Sequence, residues 1–381
     1  KPYPIVVEGY VADGGRPVIF SPDGNWLATA WDNQSLRLWH LTSVSDEPEL
    51  SWDPTGLLAS LVFDASGVRL LPVGFGTDFS ILTLDGNSGR RLNSVRRLEG
   101  FSNNHYLFSA AFSPSGRLVA AGTGFGAVEK KVLRVWDLES EEVREFPLEP
   151  SDPQDLISEE SLAGYEYGVN DIAFFDESTL YTAGWNGVLS WNLETGSSEV
   201  IVPRRPDTTT HMALSGDRTR MVTRTVDFSK DPRAVSFRVH EIAAVTCRPL
   251  HGFGDRVDLA SMTAIDPGGT VFVTGDREGV IRVGRIDGGE PHVLLGHEGM
   301  IDGVAVSPDL EWVASSGSDE TLRLWPMPDL SKPPLHTLPH DELIAKLHSL
   351  TNLRVVRDEE SSTGWKIEVG PFPGWETVPS S

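Results

Sequence analysis

One pattern, written seven times in unequal copies, constrains this chain more than any other feature. The clearest pair is FSPDGNWLATAWDNQSLRLWHL (residues 20–41) and VSPDLEWVASSGSDETLRLWPM (306–327). Each reads as a short apolar strand, a Ser-Pro-Asp turn, a second apolar strand, a polar turn, and then Leu-Arg-Leu-Trp. Two more copies run from Phe112 to Leu138 and from Phe174 to Leu193, and weaker ones cover 63–86, 214–242 and 265–286. Between copies a second element recurs: an apolar residue, any residue, Gly, then an aromatic or His. It ends at Tyr10, Phe101, Tyr165, Phe253 and His297. A unit of three or four strands of about five residues cannot bury both faces of its own sheet. Seven such units around one axis bury them all and leave few open edges.

The pattern resembles the WD-repeat β-propeller family over about residues 4–328. That resemblance implies an all-β fold: a seven-bladed propeller of four-stranded antiparallel blades over residues 1–328, followed by a small extension, 329–381. It also implies that His297, Ser315, Asp319 and Trp325 of the last repeat form the family's structural hydrogen-bonded tetrad. Elsewhere the set is incomplete. Asn33 stands at the Asp position of the first repeat, Glu278 at that of the sixth, and Gly284 replaces the sixth Trp. Because the family's repeat is offset from its blade, residues 4–8 are expected as the outer strand of the blade that holds residues 301–327.

Composition narrows the function. A net charge of −23 over 381 residues argues against a generic nucleic-acid binder, since Lys and Arg drive phosphate affinity. No apolar run has the ~18 residues of a membrane-spanning helix. The single Cys247 excludes an internal disulfide and fits a reducing compartment, so a cytoplasmic location is expected. His297, Ser315 and Asp319 could suggest a hydrolase, but they sit at fixed repeat positions and end on a Trp N–H, which reads as a buried structural network. His336 and His340 have Pro339 between them and no Cys pair nearby, so no metal is expected, and no cofactor either.

The loops entering the blades and the turns joining second to third strands emerge on one face. Three are extended, near 122–131, 149–168 and 224–233, and loops of this kind carry function. The candidate binding surface comprises Trp31, Phe125, Trp185, Arg205 and Arg277, with basic Lys130, Lys131, Lys230 and Arg233. A protein or peptide partner is expected there, and an acidic one suits the cluster.

After Pro328 the period is lost. A helix is expected at about 340–350, and strands at about 353–358 and 364–369. This tail is similar to those closing bacterial multidomain proteins in which WD repeats follow a signalling ATPase or a Ser/Thr kinase domain. A first residue that is not Met and an excess of Arg over Lys agree with an excised piece of such a protein. The expectation is therefore a non-catalytic sensor or scaffold module that binds a protein, peptide or other ligand, or other domains of its parent. The alternatives are an enzyme with its site at the channel mouth, for which Asp171 and Asp302 are the inward carboxylates, and a purely architectural domain.

Overall fold

The structure, a computed structural model, describes residues 5–7, 17–31, 35–41, 50–52, 57–75, 79–84, 91–98, 107–123, 132–148, 168–203, 208–227, 229, 234–253, 262–343, 353–357 and 365–369. After an isolated first strand, β1 (Ile5–Val7), the strands come in groups of four. Blade 1 holds β2 (Val18–Phe20), β3 (Trp26–Trp31), β4 (Ser35–His40) and β5 (Leu50–Trp52). Blade 2 holds β6 (Leu57–Phe63), β7 (Arg69–Phe75), β8 (Ser80–Leu84) and β9 (Arg91–Arg97). Blade 3 holds β10 (Leu107–Phe112), β11 (Leu118–Thr123), β12 (Val132–Asp137) and β13 (Val143–Pro147). Blade 4 holds β14 (Val169–Phe174), β15 (Thr179–Gly184), β16 (Gly187–Asn192) and β17 (Ser198–Pro203). Blade 5 holds β18 (Thr208–Leu214), β19 (Arg220–Asp227), β20 (Ala234–Glu241) and β21 (Thr246–Leu250). Blade 6 holds β22 (Met262–Ile265), β23 (Val271–Gly275), β24 (Ile281–Arg285) and β25 (His292–Leu294). The last blade has β26 (Ile301–Val306), β27 (Trp312–Gly317) and β28 (Leu322–Pro326), and β1 completes it. Ile5 lies opposite Leu324, and Val7 opposite Leu322, in antiparallel register. The result is an all-β, seven-bladed propeller.

The Ser-Pro-Asp turns explain themselves. In blade 1 the Gly24 amide donates to the Ser21 carbonyl at 2.9 Å, with Pro22 and Asp23 between them. Pro at the second position and Gly at the fourth suit this type of turn. The Ser21 hydroxyl also accepts the Trp26 amide at 3.0 Å, which fixes the start of the next strand. Ser113, Ser215 and Ser307 repeat that bond, and Asp64 and Asp266 replace the serine in blades 2 and 6.

The core lies between blades rather than within them. One apolar cluster joins blades 1 and 2 through Leu38, Leu61 and Leu70; another joins 3 and 4 through Leu133, Phe146 and Trp191. At the closure, Ile5 and Val7 pack with the cluster that links Leu322 and Leu324 to Val18 and Trp39. Ring closure is thus an apolar event as well as a ladder of hydrogen bonds.

The chain divides into two compact units, Lys1–Pro328 and Asp329–Ser381. In the second, residues 340–343 are helical, and β29 (Leu353–Arg357) pairs antiparallel with β30 (Trp365–Val369). The rest of the helix expected to 350 lies outside the described residues.

Candidate functional site: the hairpin-tip face and its tetrads

Blade 7 brings His297, Ser315, Asp319 and Trp325 into one chain of hydrogen bonds. Trp325 Nε1–H donates to Ser315 Oγ at 2.8 Å. Ser315 Oγ lies 2.7 Å from His297 Nε2, and His297 Nδ1 lies 2.9 Å from Asp319 Oδ1. The direction follows from the indole, which can only donate. The serine hydroxyl then donates to Nε2, and Nδ1–H donates to the carboxylate. Burial pushes the His297 imidazole below its ordinary pKa, against the pull of Asp319, so it is neutral as this chain requires. Burial pushes the Asp319 carboxyl up, but bonds from His297 and the Glu298 amide outweigh it and leave it lowered. The His297 side chain is 0 % exposed, so the hydroxyl has no path to a substrate.

The ladder registers extend this device to blades where the sequence motif is incomplete. Trp39 donates to Thr29 at 3.2 Å and Trp191 to Thr182 at 2.9 Å. In blade 5 the Trp position, opposite Met221, is His240, and its Nε2 lies 2.9 Å from the Thr223 hydroxyl. Burial, with help from Arg238, holds His240 down at about 4. A Thr two residues past the strand partner of the Trp is the signal that could have revealed these pairs. In blade 6 the Trp position is Gly284, and Phe253 of the Leu-His-Gly-Phe element fills the space. A Cβ on Gly284 would lie 2.9 Å from the Phe253 ring, which is 1 % exposed and stacks edgewise on Phe272 at 5.2 Å. Glu278 is exposed, and Asp276 holds that turn instead, accepting the Glu278 and Val280 amides and pairing with Arg282 at 2.6 Å.

Of the candidate surface residues, Trp185 stands at the β15–β16 tip and Arg277 at the β23–β24 tip, on the same face of the ring. Arg277 is exposed; Trp185 is half-buried and already engaged by the fold. Trp31 ends β3, with its side chain outside the described residues. Phe125, Lys130, Lys131, Arg205, Lys230 and Arg233 also lie outside them, as do Asn33, Tyr10, Phe101 and Tyr165. The extended loop expected at 224–233 is in part ladder: β19 runs on to Asp227, with Arg224 opposite Phe237 and Asp227 opposite Ala234. Backbone pairing there outcompetes a loop because Val226 and Val235 meet across the strands.

Inside the ring, Asp171 accepts from His211 at 3.0 Å and from the Met212 amide at 3.0 Å. Burial lowers the Arg224 guanidinium to about 10, against the pull of Asp171, and burial with Arg224 lowers His211. The sequence reading named Asp171 and missed His211 and Arg224, because both belong to the next blade. Asp302 is buried at 4 % exposure and has an interaction of its own. Among the described residues no group of three or more His, Cys, Asp or Glu is arranged to hold a metal ion. Nor, among them, is any helix long and apolar enough to cross a membrane.

Among the described residues, grooves lie at blade seams. One of about 920 Å³ spans blades 2 to 4 and is lined by Arg69, Arg96, Arg117 and Arg144. These arginines are all engaged: Arg69 with Asp64, Arg117 with Asp137, Arg96 and Arg144 with the Leu138 and Leu193 carbonyls. Another, of about 530 Å³, opens between blades 4 and 5.

Seven four-stranded blades closed into a ring define a seven-bladed β-propeller, with Trp–hydroxyl pairs in blades 1, 4 and 7. The family described as "WD domain, G-beta repeat" matches residues 18–40 and 288–326, which are the first blade and the approach to and body of the last. Apoptotic protease-activating factor 1 of Rattus norvegicus is 22% identical over 336 residues, covering 79% of this chain and 25% of its own length. The Homo sapiens protein of that name is 22% identical over 334 residues, with the same coverage. Periodic tryptophan protein 2 of Arabidopsis thaliana is 24% identical over 223 residues, covering 58% of this chain and 22% of its own. This chain therefore spans about a quarter of the length of these relatives. Among solved structures, the β-propeller domain of Cps50 (Swd1) from Myceliophteria thermophila superposes with a TM-score of 0.63 at 15% identity, over 85% of this chain and 100% of that one. That likeness is one of fold.

Proposed function

We propose that this chain is a non-catalytic, protein- or peptide-binding propeller, a sensor or scaffold module of a larger bacterial regulatory protein of the signalling ATPase or Ser/Thr kinase kind, acting in the cytoplasm. The observation that carries the reading is the placing of Trp185 and exposed Arg277 at second-to-third-strand tips on one face of a rigid ring. Arg and Trp are over-represented among binding hot spots, and a tip presented by a closed scaffold loses little entropy on binding. Relatives about three times as long, two of them named as protease-activating factors, favour a regulatory parent. The excess of Arg over Lys favours a bacterial one. Asp171 is hydrogen-bonded to His211 and feels the buried charge of Arg224, which suits a polar seam between blades 4 and 5 better than a reaction centre. Basic Lys130, Lys131, Lys230 and Arg233 suit an acidic partner.

The test is selection of a random peptide library on the full chain, followed by binding to Phe125→Ala, Trp185→Ala and Arg277→Ala variants. Selected peptides should be acidic and lose about tenfold or more in affinity, which is about 1.4 kcal/mol, with the melting temperature unchanged in Arg277→Ala. Binding that survives all three changes would place the partner on another surface.

A further inference from the structure

In blades 3 and 5 the outer strand closes the seam to the next blade with two side chains. From β13, Arg144 donates to the Leu193 carbonyl at 2.7 Å, and Phe146 is buried against Trp191 with ring centroids 6.1 Å apart. From β21, Arg248 donates to the Ile286 carbonyl at 2.6 Å, and Leu250 is buried in the cluster with Phe272 and Ile286. From β9, Arg96 donates to the Leu138 carbonyl. These arginines share one register: opposite Ile81, Val135 and Val239, each one residue before the Trp position. The same register holds Leu50 in blade 1, His292 in blade 6 and Ile5 in the last blade, and in blade 4, opposite Ser190, it holds the carboxylate of Glu199. Where Phe146 and Leu250 plug their seams, β17 offers half-buried Val202, opposite Val188.

At the junction of blades 4 and 5 both groups are replaced: Val202 packs in the cluster of Val188, Met221 and Ile242, and the groove of about 530 Å³ lies over it. Its walls include Glu199, Val200, Met221, Ile242 and Val245. Among the described residues no cation pairs with Glu199. The Ile242 carbonyl, equivalent to those of Leu138, Leu193 and Ile286, takes only the long 3.3 Å bond from the Val245 amide among the backbone donors of the turn. Around the groove, apolar side chains face solvent: Val200 at 50 %, Ile201 at 38 % and Val245 at 92 % exposure. Val245 holds a φ of 51°, a left-handed conformation that a β-branched residue adopts only under strain. A strained apolar residue pointing into water has no role within this chain's own core. Arg238 also lines the groove, but its Nε is turned to Cys247 Sγ at 3.1 Å, and Glu241 is paired with Arg220 at 3.1 Å.

We propose that this seam binds an arginine presented between apolar side chains by a partner protein or peptide. The incoming guanidinium donates to the Glu199 carboxylate and the Ile242 carbonyl, supplying from outside what Arg96, Arg144 and Arg248 supply from within. Its apolar neighbours cover Val200, Ile201 and Val245 and fill the space that Phe146 and Leu250 occupy at the other seams. Carboxylate–guanidinium pairing is strong and directional, and the flanking apolar contacts exclude water from it. This surface is separate from the hairpin-tip face, so either can fail without the other.

The probe is a labelled pentapeptide with a central arginine flanked by valine and phenylalanine, titrated against the full chain. Versions carrying citrulline or glutamate in place of the arginine serve as controls. The arginine peptide should bind about tenfold or more tightly than either control, and Glu199→Gln should erase that preference. Glu199→Arg should abolish binding and raise the melting temperature, because it restores the internal closure. No binding of the arginine peptide at millimolar concentration, equal binding of the citrulline peptide, or binding that persists in both variants would overturn the proposal. So would tighter binding of the glutamate peptide, which would point to Arg238, or a lower melting temperature in Glu199→Arg.

Discussion

At the scale of single residues, the polar groups buried in this ring are held in chains with one direction of donation. Trp325 gives its proton to Ser315, Ser315 to His297, and His297 to Asp319. Removing the middle member leaves a buried indole N–H and a buried imidazole nitrogen unsatisfied, which costs more than the bond itself. Ser315→Ala should therefore lower the stability by about 1–3 kcal/mol, read from urea denaturation, although it removes a single oxygen. A loss below about 0.5 kcal/mol would mean that water reaches the site and the network is dispensable. The neutral state of His297 matters for the same reason. A second proton on the ring would leave the serine hydroxyl with two donors and no acceptor.

At the scale of elements, each outer strand belongs energetically to two blades. β13 is laddered to β12 by hydrogen bonds, yet Arg144 and Phe146 are spent on blade 4. Arg144→Ala should cost about 1 kcal/mol and raise amide exchange in β13 and around Leu193 while leaving blade 7 unchanged. Uniform acceleration of exchange over the whole ring would show that the seams do not open separately. Blade 6 shows how the element tolerates a lost motif. Gly284 removes an indole, and Phe253 arrives from the preceding connection to fill the hole, so the seam is packed by a different route. This exchange was half readable in the sequence: the Gly-aromatic signature was seen to recur, but nothing local says that the ring of Phe253 lies over a residue more than a strand hairpin away.

At the scale of the whole molecule, a ring has no free end. The three residue pairs between β1 and β28 join opposite ends of the propeller, and Ile5 and Val7 pack into the cluster shared by blades 7 and 1. Deleting residues 1–10 should expose the edge of β28, lower the melting temperature by about 5 °C or more and promote association. A truncated chain that melts at the same temperature and stays monomeric would show that closure contributes little.

What the sequence determined by itself is the repeating part: the all-β class, the number of blades, the Ser-Pro-Asp turns and the residues of the last tetrad. These depend on neighbours a few positions apart, or on one strand and the next, so periodicity and turn chemistry expose them. The tertiary structure alone decided what happens between blades. The hydrogen bond of Asp171 with His211, the filling of Gly284 by Phe253, and the groove shared by Glu199 and Ile242 join residues from different repeats. A carboxylate where three of its equivalents are arginines looks like an ordinary surface charge until the ladder registers align the strands. Only the closed ring, by facing that position toward the next blade's carbonyl, turns it into a distinct chemical environment.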